Sequence, residues 1–115
     1  MDALRTPSGH AVHYGRCAKE NDALCKRANQ DDLWFHVSEY PGSHCLLVLP
    51  AASPPVSKGD LLYVATLAKQ RSKAKLLPRV AVHYCPFRQL DIDWDSRKRR
   101  AGEVVIRGES RVVWV

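Results

Sequence analysis

Residues 32–49, DLWFHVSEYPGSHCLLVL, hold two apolar segments separated by a turn signal at Pro41-Gly42. In the first segment (33–37), aliphatic or phenyl side chains occupy every second position, which is typical of a strand with one face in the core. The second segment (44–49) is apolar on both faces, which predicts an interior strand. The two segments therefore predict an antiparallel hairpin around which the rest of the fold is arranged.

The register of this hairpin determines which polar side chains meet. Trp34 and His36 lie on the face of the first strand that is opposite to its aliphatic residues. A symmetric loop pairs Val37 with His44, whereas a slip of one residue places His36 beside His44. The sequence leaves both registers open.

Residues 17–28, CAKENDALCKRA, predict a first helix. Its buried face is predicted to consist of Cys17, Leu24, Cys25 and Ala28. Asn21 lies on this same face, and an amide that is buried without a hydrogen bond costs about 1–3 kcal/mol. We therefore expect Asn21 to be either a structural clamp or part of a recessed site.

Residues 57–72 predict a second helix. Ser57 and Asp60 have the spacing of a capping box, with Asp in place of the usual Glu. A shallow apolar stripe follows, consisting of Leu61, Val64, Ala65 and Ala68.

The remaining elements are predicted to be strands. Segments 10–15 and 79–85 have strand patterns, and 103–115 predicts a C-terminal β-hairpin with Gly108-Glu109 as its turn. The charged segment 93–102 is predicted to be a loop that does not pack. The fold class is therefore α+β: a mostly antiparallel sheet with two main helices and a C-terminal β-hairpin.

Length and composition predict one domain over residues 1–115, with residues 1–9 as a loose lead-in. No apolar run reaches the ~18–20 residues of a membrane span, and the N-terminus lacks the apolar core of a signal peptide. We expect a cytoplasmic protein without a membrane partner, with the nucleus as the alternative location. The four widely spaced cysteines are expected to be buried thiols.

The charge is asymmetric along the chain. Residues 1–68 carry six Lys or Arg and seven Asp or Glu, whereas residues 69–115 carry twelve and five. Such an excess predicts a polyanionic partner, and nucleic acid is the first candidate. The predicted phosphate contacts are Lys69, Arg71, Lys73, Lys75, Arg97, Lys98, Arg99 and Arg100. Trp34 and Trp94 are candidates for base stacking, and packing beneath a helix explains Trp34 equally well.

Motifs for metal binding and catalysis are missing from the sequence. There is no CxxC or HxxxH pair, and there is no GxSxG, Walker or GxGxxG motif. His36, His44 and Asp32 are acid–base candidates, but a His beside a turn is more often a hydrogen-bonded structural residue. We therefore predict no catalytic residue, no metal and no cofactor, and we do not expect an enzyme.

Five segments together resemble the NFACT-R domain, the RNA-binding module of the NFACT proteins of ribosome-associated quality control. They are YGRCAKENDAL (14–24), DDLWFHVSEYPGSHCLLVLP (31–50), AKQRSKAK (68–75), VAVHYC (80–85) and GEVVIRGESRVVWV (102–115). The family pattern runs roughly GRNxxQND, DLWFH, PGSHV, a helix ending in Ser-Lys and a closing hairpin. Cys17 stands where this pattern has Asn, and Glu20 stands where it has Gln.

The resemblance implies an RNA-binding domain that acts on ribosomal RNA or tRNA, with the ribosome as a further partner. It implies that the motif residues form the nucleic-acid-binding site: Arg16 as a phosphate contact, with Asn21, Asp22, Trp34, His36, Ser43, His44, Ser72 and Lys73. The chain lacks the N-terminal domain and coiled coils of full NFACT proteins, so we expect it not to recruit charged tRNA for tail synthesis by itself.

Two other functions stay open on the sequence. A protein-interaction adaptor would bind a protein partner through a sheet edge or aromatic face, while the basic residues only tune the encounter rate. A hydrolase would use His36 or His44.

Overall fold

The computed structural model describes residues 2–115 of the chain, and side chains from residue 4 onward. The two helices are α1 (Ala18–Arg27) and α2 (Lys58–Gln70). The strands are β1 (Asp2–Arg5), β2 (Ala11–Tyr14), β3 (Leu33–Val37), β4 (Cys45–Leu47), β5 (Ala81–Pro86), β6 (Leu90–Asp91), β7 (Val105–Ile106) and β8 (Arg111–Trp114). Six of them form one antiparallel sheet in the order β1-β2-β4-β3-β5-β8, and β6 pairs with β7 separately. The predicted α+β class is confirmed.

The helices cover opposite faces of the large sheet, and successive strand residues point alternately toward the two faces. On one face, Phe35 packs with Val64, Ala65 and Ala68 of α2 in the main core. On the other face, Trp34 packs with Leu24 of α1, and the β6–β7 pair adds Leu90 and Ile106 beside them. The alternating residues of β3 therefore contribute side chains to two separate cores.

The hairpin of β3 and β4 adopts the slipped register. Trp34 lies opposite Leu46 and Phe35 lies opposite Cys45, so the same register places His36 opposite His44. The two imidazole rings meet edge to face, with 5.3 Å between their centroids.

The second helix begins as the sequence predicts. The Asp60 amide donates to Ser57 Oγ at 3.1 Å, and the Ser57 amide donates to Asp60 Oδ2 at 2.9 Å. This reciprocal pair is the predicted capping box, which satisfies two amides that the helix leaves without partners.

The prediction of a loose lead-in over residues 1–9 is wrong for Asp2–Arg5, which form β1, while Met1 lies outside the described residues. The strand is held because β1 pairs with β2 and because the intervening turn docks on α2, where the Ser8 amide donates to Asp60 Oδ1 at 2.9 Å. A four-residue segment without a strong strand pattern is thus ordered by its tertiary partners.

The C-terminal strands turn at Gly108, as predicted, and its φ of +76° is a conformation that glycine adopts without strain. The arms on either side of this turn pair with different neighbours. Strand β7 pairs with β6, whereas β8 pairs with β5 at the edge of the large sheet. The turn therefore connects the small β6–β7 pair to the large sheet.

Cys25, Cys45 and Cys85 are buried thiols, as predicted, but Cys17 is exposed. Cys17 is the N-cap residue of α1 and has an extended backbone, so it does not continue the buried face of the helix. Within residues 2–115, no helix is long and apolar enough to cross a membrane.

Candidate nucleic-acid interface

A cleft of about 960 Å³ opens at the end of the sheet where β3 ends and α2 ends. Its walls come from four segments of the chain: the start of α1 with the residues before it, the turn 41–44, the end of α2 with the residues after it, and residues 100–103. The positively charged residues that line it are Arg16, Arg71, Lys73, Lys75 and Arg100. Glu103 is the one carboxylate among the described residues that line it.

One wall is built by a close contact between Gly15, Asn21 and the backbone of His44. The His44 amide donates to Asn21 Oδ1 at 3.1 Å, and the Gly15 amide donates to the His44 carbonyl at 3.1 Å. A Cβ atom on Gly15 would lie 2.1 Å from Asn21 Oδ1, so only glycine fits here. Asn21 is therefore a structural clamp between α1 and the turn.

The opposite wall is built by Gly42 and Ser72. These two residues form an isolated β-bridge, and a Cβ atom on Gly42 would lie 2.7 Å from the Ser72 Cβ atom. The Ser72 hydroxyl donates to the Lys69 carbonyl at 2.8 Å and accepts from the Ala74 amide at 3.1 Å. The Ser43 amide also donates to the Arg71 carbonyl at 3.1 Å. The turn 41–44 is thus fixed to the end of α2, and Ser43 and Ser72 form the structural frame of this wall.

The positive side chains around this frame face solvent. Lys73, Lys75 and Arg100 are exposed, and the Arg71 guanidinium lies 4.5 Å from the centroid of the Tyr14 ring. A concave surface lined by charges of one sign concentrates the electric field and attracts oppositely charged ligands. The cleft is therefore suited to a polyanion.

Arg16 lines the cleft but is engaged by Glu20. Its Nε and Nη2 atoms donate to the two carboxylate oxygens at 3.1 and 3.0 Å. These hydrogen bonds lower the pKa of Glu20 to about 2. Glu20 is one of the two departures from the family pattern, and it binds Arg16, which is a predicted phosphate contact.

The prediction that residues 93–102 form an unpacked loop is wrong. Asp22 accepts hydrogen bonds from Arg99 Nη1 at 3.1 Å, from Arg99 Nη2 at 2.6 Å and from the Gly102 amide at 2.8 Å. The Arg99 hydrogen bonds lower the pKa of Asp22 despite its desolvation. Trp94 also holds the loop against α1, because Lys26 of α1 and Arg99 of the loop both lie against its ring. Their charged groups are 5.0 and 4.4 Å from the ring centroid.

The predicted basic residues therefore divide into those that line the cleft and those that lie outside it. Arg100 lines the cleft, whereas Arg99 is bound to Asp22 and holds the loop in place. Arg97 and Lys98 are exposed outside the cleft. Lys69 also lies outside it, where its amine donates to the Val115 carbonyl at 3.3 Å.

Trp34, His36 and His44 form an aromatic cluster beneath the cleft. Trp34 is only 3% exposed and stacks on His36 with 5.8 Å between ring centroids, so it is a core residue packed under α1. Burial and the neighbouring His36 lower the pKa of His44 to about 3, and burial also lowers the pKa of His36. Both imidazoles line the cleft as neutral rings at neutral pH.

Asp32, the third acid–base candidate, is a structural residue. Its carboxylate is 1% exposed and accepts from the Asn29 and Leu49 amides, each at 2.9 Å. It therefore fixes the start of β3 to the segment after β4.

Among the described residues, no group of three or more His, Cys, Asp and Glu side chains could hold a metal ion. The lining residues that the sequence did not predict as site residues are Gly15, Cys17, Ala18, Pro41, Gly42, Gln70, Ala101, Gly102 and Glu103. Adjacency to the motifs is the signal that would have found most of them.

An α+β domain with a cationic cleft at one end of its sheet is typical of nucleic-acid-binding proteins. The chain belongs to the family described as the NFACT protein RNA binding domain, whose model matches residues 3–111. This match confirms the resemblance carried by the motifs.

Two related proteins support this assignment. The chain is 31% identical over 91 residues to the Rqc2 homolog RqcH of Bacillus subtilis (strain 168), covering 78% of this chain and 15% of RqcH. It is also similar to the solved C-terminal structure of the fibronectin/fibrinogen-binding protein from Streptococcus suis, with a TM-score of 0.83 and 25% identity. That likeness covers 99% of this chain and 44% of the solved chain. The chain thus spans a minor part of both relatives.

Proposed function

We propose that this chain is an RNA-binding module that holds ribosomal RNA or tRNA in its cleft and acts in cytoplasmic translation quality control. Membership in the RNA-binding family and the likeness to RqcH support this function. The observation that carries it is the cleft itself, with five positive side chains and one carboxylate around a frame of motif residues. In this proposal the motif residues Gly15, Asn21, Gly42 and Ser72 shape the site and the cations bind phosphate.

Binding explains the histidines better than catalysis does. A general base works best with a pKa near the operating pH, whereas the pKa of His44 lies at about 3. His44 is also buried, and its Nδ1 atom lies 3.7 Å from the Cys25 thiol. The two imidazoles therefore serve as packing groups that shape the floor of the cleft.

Salt dependence tests the cleft as the phosphate-binding surface. Each phosphate contact contributes about 0.7–0.9 to the slope of log K against log salt concentration. The double variant Lys73→Ser/Lys75→Ser should therefore bind labelled tRNA more weakly and reduce that slope by about 1.4–1.8. Fluorescence anisotropy at several salt concentrations measures both quantities.

A matched control removes the same charge elsewhere. Arg5 and Lys58 are exposed and lie outside the cleft, so Arg5→Ser/Lys58→Ser should leave the slope unchanged. Equal effects of the two double variants would show that net charge, and not the cleft, determines binding. A further pair, Arg97→Ser/Lys98→Ser, measures whether the loop tip extends the contact.

The adaptor function makes a different prediction. A protein partner would be captured after nuclease treatment and at high salt, and the Lys73 and Lys75 substitutions would not release it. Such a result, without measurable binding of tRNA or ribosomal RNA in dilute buffer, would replace the RNA-binding proposal.

A further inference from the structure

In the described part of the chain, the sheet face on the α1 side is exposed to solvent at its β8 edge. Val113 and Val115 pack toward α2, so Val112 and Trp114 point to the opposite face. Val112 is 42% exposed and Trp114 is 56% exposed. A large aromatic ring is thus presented to solvent at the sheet edge.

The register connects this edge to the cleft. His36 lies opposite His83, and His83 lies opposite Val112, so these three residues form one row across β3, β5 and β8. His36 lines the cleft, and two strand spacings separate its Cα from that of Val112, about 10 Å. Trp114 lies two residues further along β8, on the same face and at the end of the sheet where the cleft opens.

A cationic segment leads along the same path. Residues 71–79, RSKAKLLPR, contain four Lys or Arg and no acidic residue. The segment begins with Arg71, Lys73 and Lys75 at the cleft and ends with Arg79, whose guanidinium lies 5.5 Å from the Trp114 ring centroid. Immediately after Arg79, Val80 forms two backbone hydrogen bonds with Val115, which fixes the segment beside Trp114.

We propose that Trp114 is a stacking site for an unpaired RNA base, and that Arg79 binds the adjoining phosphate. The inference rests on the proposed function, because the nucleotide at Trp114 would continue the strand held in the cleft. Domains that bind single strands combine a basic path with aromatic rings, and they contact about 4–16 nucleotides per domain. Positive side chains at both ends of segment 71–79, without an acidic residue between them, favour a nucleic acid over a protein at this face. The RNA recognised by this chain therefore has an unpaired flank.

Two RNA probes separate this site from the cleft: a hairpin with an unpaired tail, and the same hairpin with a blunt end. The tail carries 2-aminopurine, whose fluorescence falls when the base stacks on an aromatic ring. Loss of one base–aromatic stack corresponds to about a 5- to 150-fold loss of affinity. Trp114→Ala should show this loss with the tailed probe and abolish the fluorescence change, while its affinity for the blunt probe stays the same.

Two further variants keep the test clear. Trp114→Phe retains an aromatic ring and should retain most of the tail effect even if the alanine variant is less stable. Leu62→Ala removes an exposed apolar side chain from the outer surface of α2, 48% exposed in the native chain, and should have no effect. Thermal unfolding of each variant confirms that the domain is folded at the assay temperature.

The possible failures are distinguishable. If the native chain binds the tailed and blunt probes equally, or if Trp114→Ala behaves like Leu62→Ala, the stacking site is wrong. The cleft is still supported in that case if Lys73→Ser/Lys75→Ser loses affinity for both probes. If neither probe binds the native chain in dilute buffer, the proposed function fails with it. Trp114→Ala could instead leave RNA affinity intact and abolish the capture of a protein partner that stays bound after nuclease treatment. In that case this face docks a protein, and the inference is overturned.

Discussion

Replacing Gly15 with Ala tests whether the motif residues build the cleft. The new Cβ atom would lie 2.1 Å from Asn21 Oδ1 and 2.7 Å from the Asn21 backbone nitrogen. The side-chain oxygen can move only by giving up its hydrogen bond to the His44 amide, which costs about 1–3 kcal/mol for a buried donor. The backbone nitrogen cannot rotate away, so α1 must shift, and overpacking of this kind typically costs about 1–3 kcal/mol.

We therefore expect Gly15→Ala to lower the free energy of unfolding by about 2–6 kcal/mol, the sum of these two effects. Urea denaturation followed by circular dichroism measures this change. RNA affinity should fall as well, because the strained contact forms a wall of the cleft.

Gly59→Ala is the matched control. Gly59 lies in α2, and the nearest atom to its new Cβ would be Ser57 Oγ at 3.6 Å, an ordinary contact. Alanine is favoured over glycine in a helix by about 0.5–1 kcal/mol, so this variant should be slightly more stable. The double variant Gly15→Ala/Asn21→Ala should lose less stability than the sum of the two single variants, because it lacks Asn21 Oδ1, the atom nearest to the new Cβ. If Gly15→Ala were as stable as the native chain, the packing argument for the motif would be wrong.

Three further predictions follow from the charged and titratable groups. Glu20→Gln should raise RNA affinity and steepen the salt slope by about 0.7–0.9, because Arg16 can then turn to a phosphate; an unchanged slope in anisotropy titrations would contradict this. Asp22→Asn should cost about 1–3 kcal/mol and speed tryptic cleavage of the 93–102 loop, because Arg99 loses a charged acceptor; unaltered proteolysis would show that other contacts hold the loop. Stability should fall as pH drops from about 6.5 toward 3, on the order of 1 kcal/mol per unit, because only the unfolded state then protonates His44. His44→Gln should flatten this part of the pH profile, and a slope equal to that of the native chain would assign the effect to another group.

Local patterns were sufficient to predict the elements that carry their own signals. The capping box at Ser57 and Asp60 fixes the start of α2, and the period of apolar residues predicts both helices. The strand pattern of residues 33–37 also places Phe35 and Trp34 on opposite faces. The register of the same hairpin was not predictable, because the seven residues between β3 and β4 accommodate either pairing.

Features that depend on distant contacts were missed. Strand β1 is ordered by pairing with β2 and by the contact of its turn with Asp60, neither of which its own four residues indicate. Segment 93–102 is rich in charge, and its packing depends on Arg99 and Asp22, which are 77 residues apart in sequence. The candidate site shows the same division: the motifs located its frame, but only the fold separates Arg100 in the cleft from Arg97 and Lys98 outside it.

The bridge between Gly42 and Ser72 joins segments that are remote in sequence, so the cleft exists only while the domain is folded. Any molecule that occupies this cleft and does not bind the denatured chain consequently shifts the equilibrium toward the folded state. A ligand at a hundredfold excess over its Kd adds about 2.7 kcal/mol to the free energy of unfolding. A thermal-shift survey of cellular RNA fractions would thus detect binders by a rise in the melting temperature.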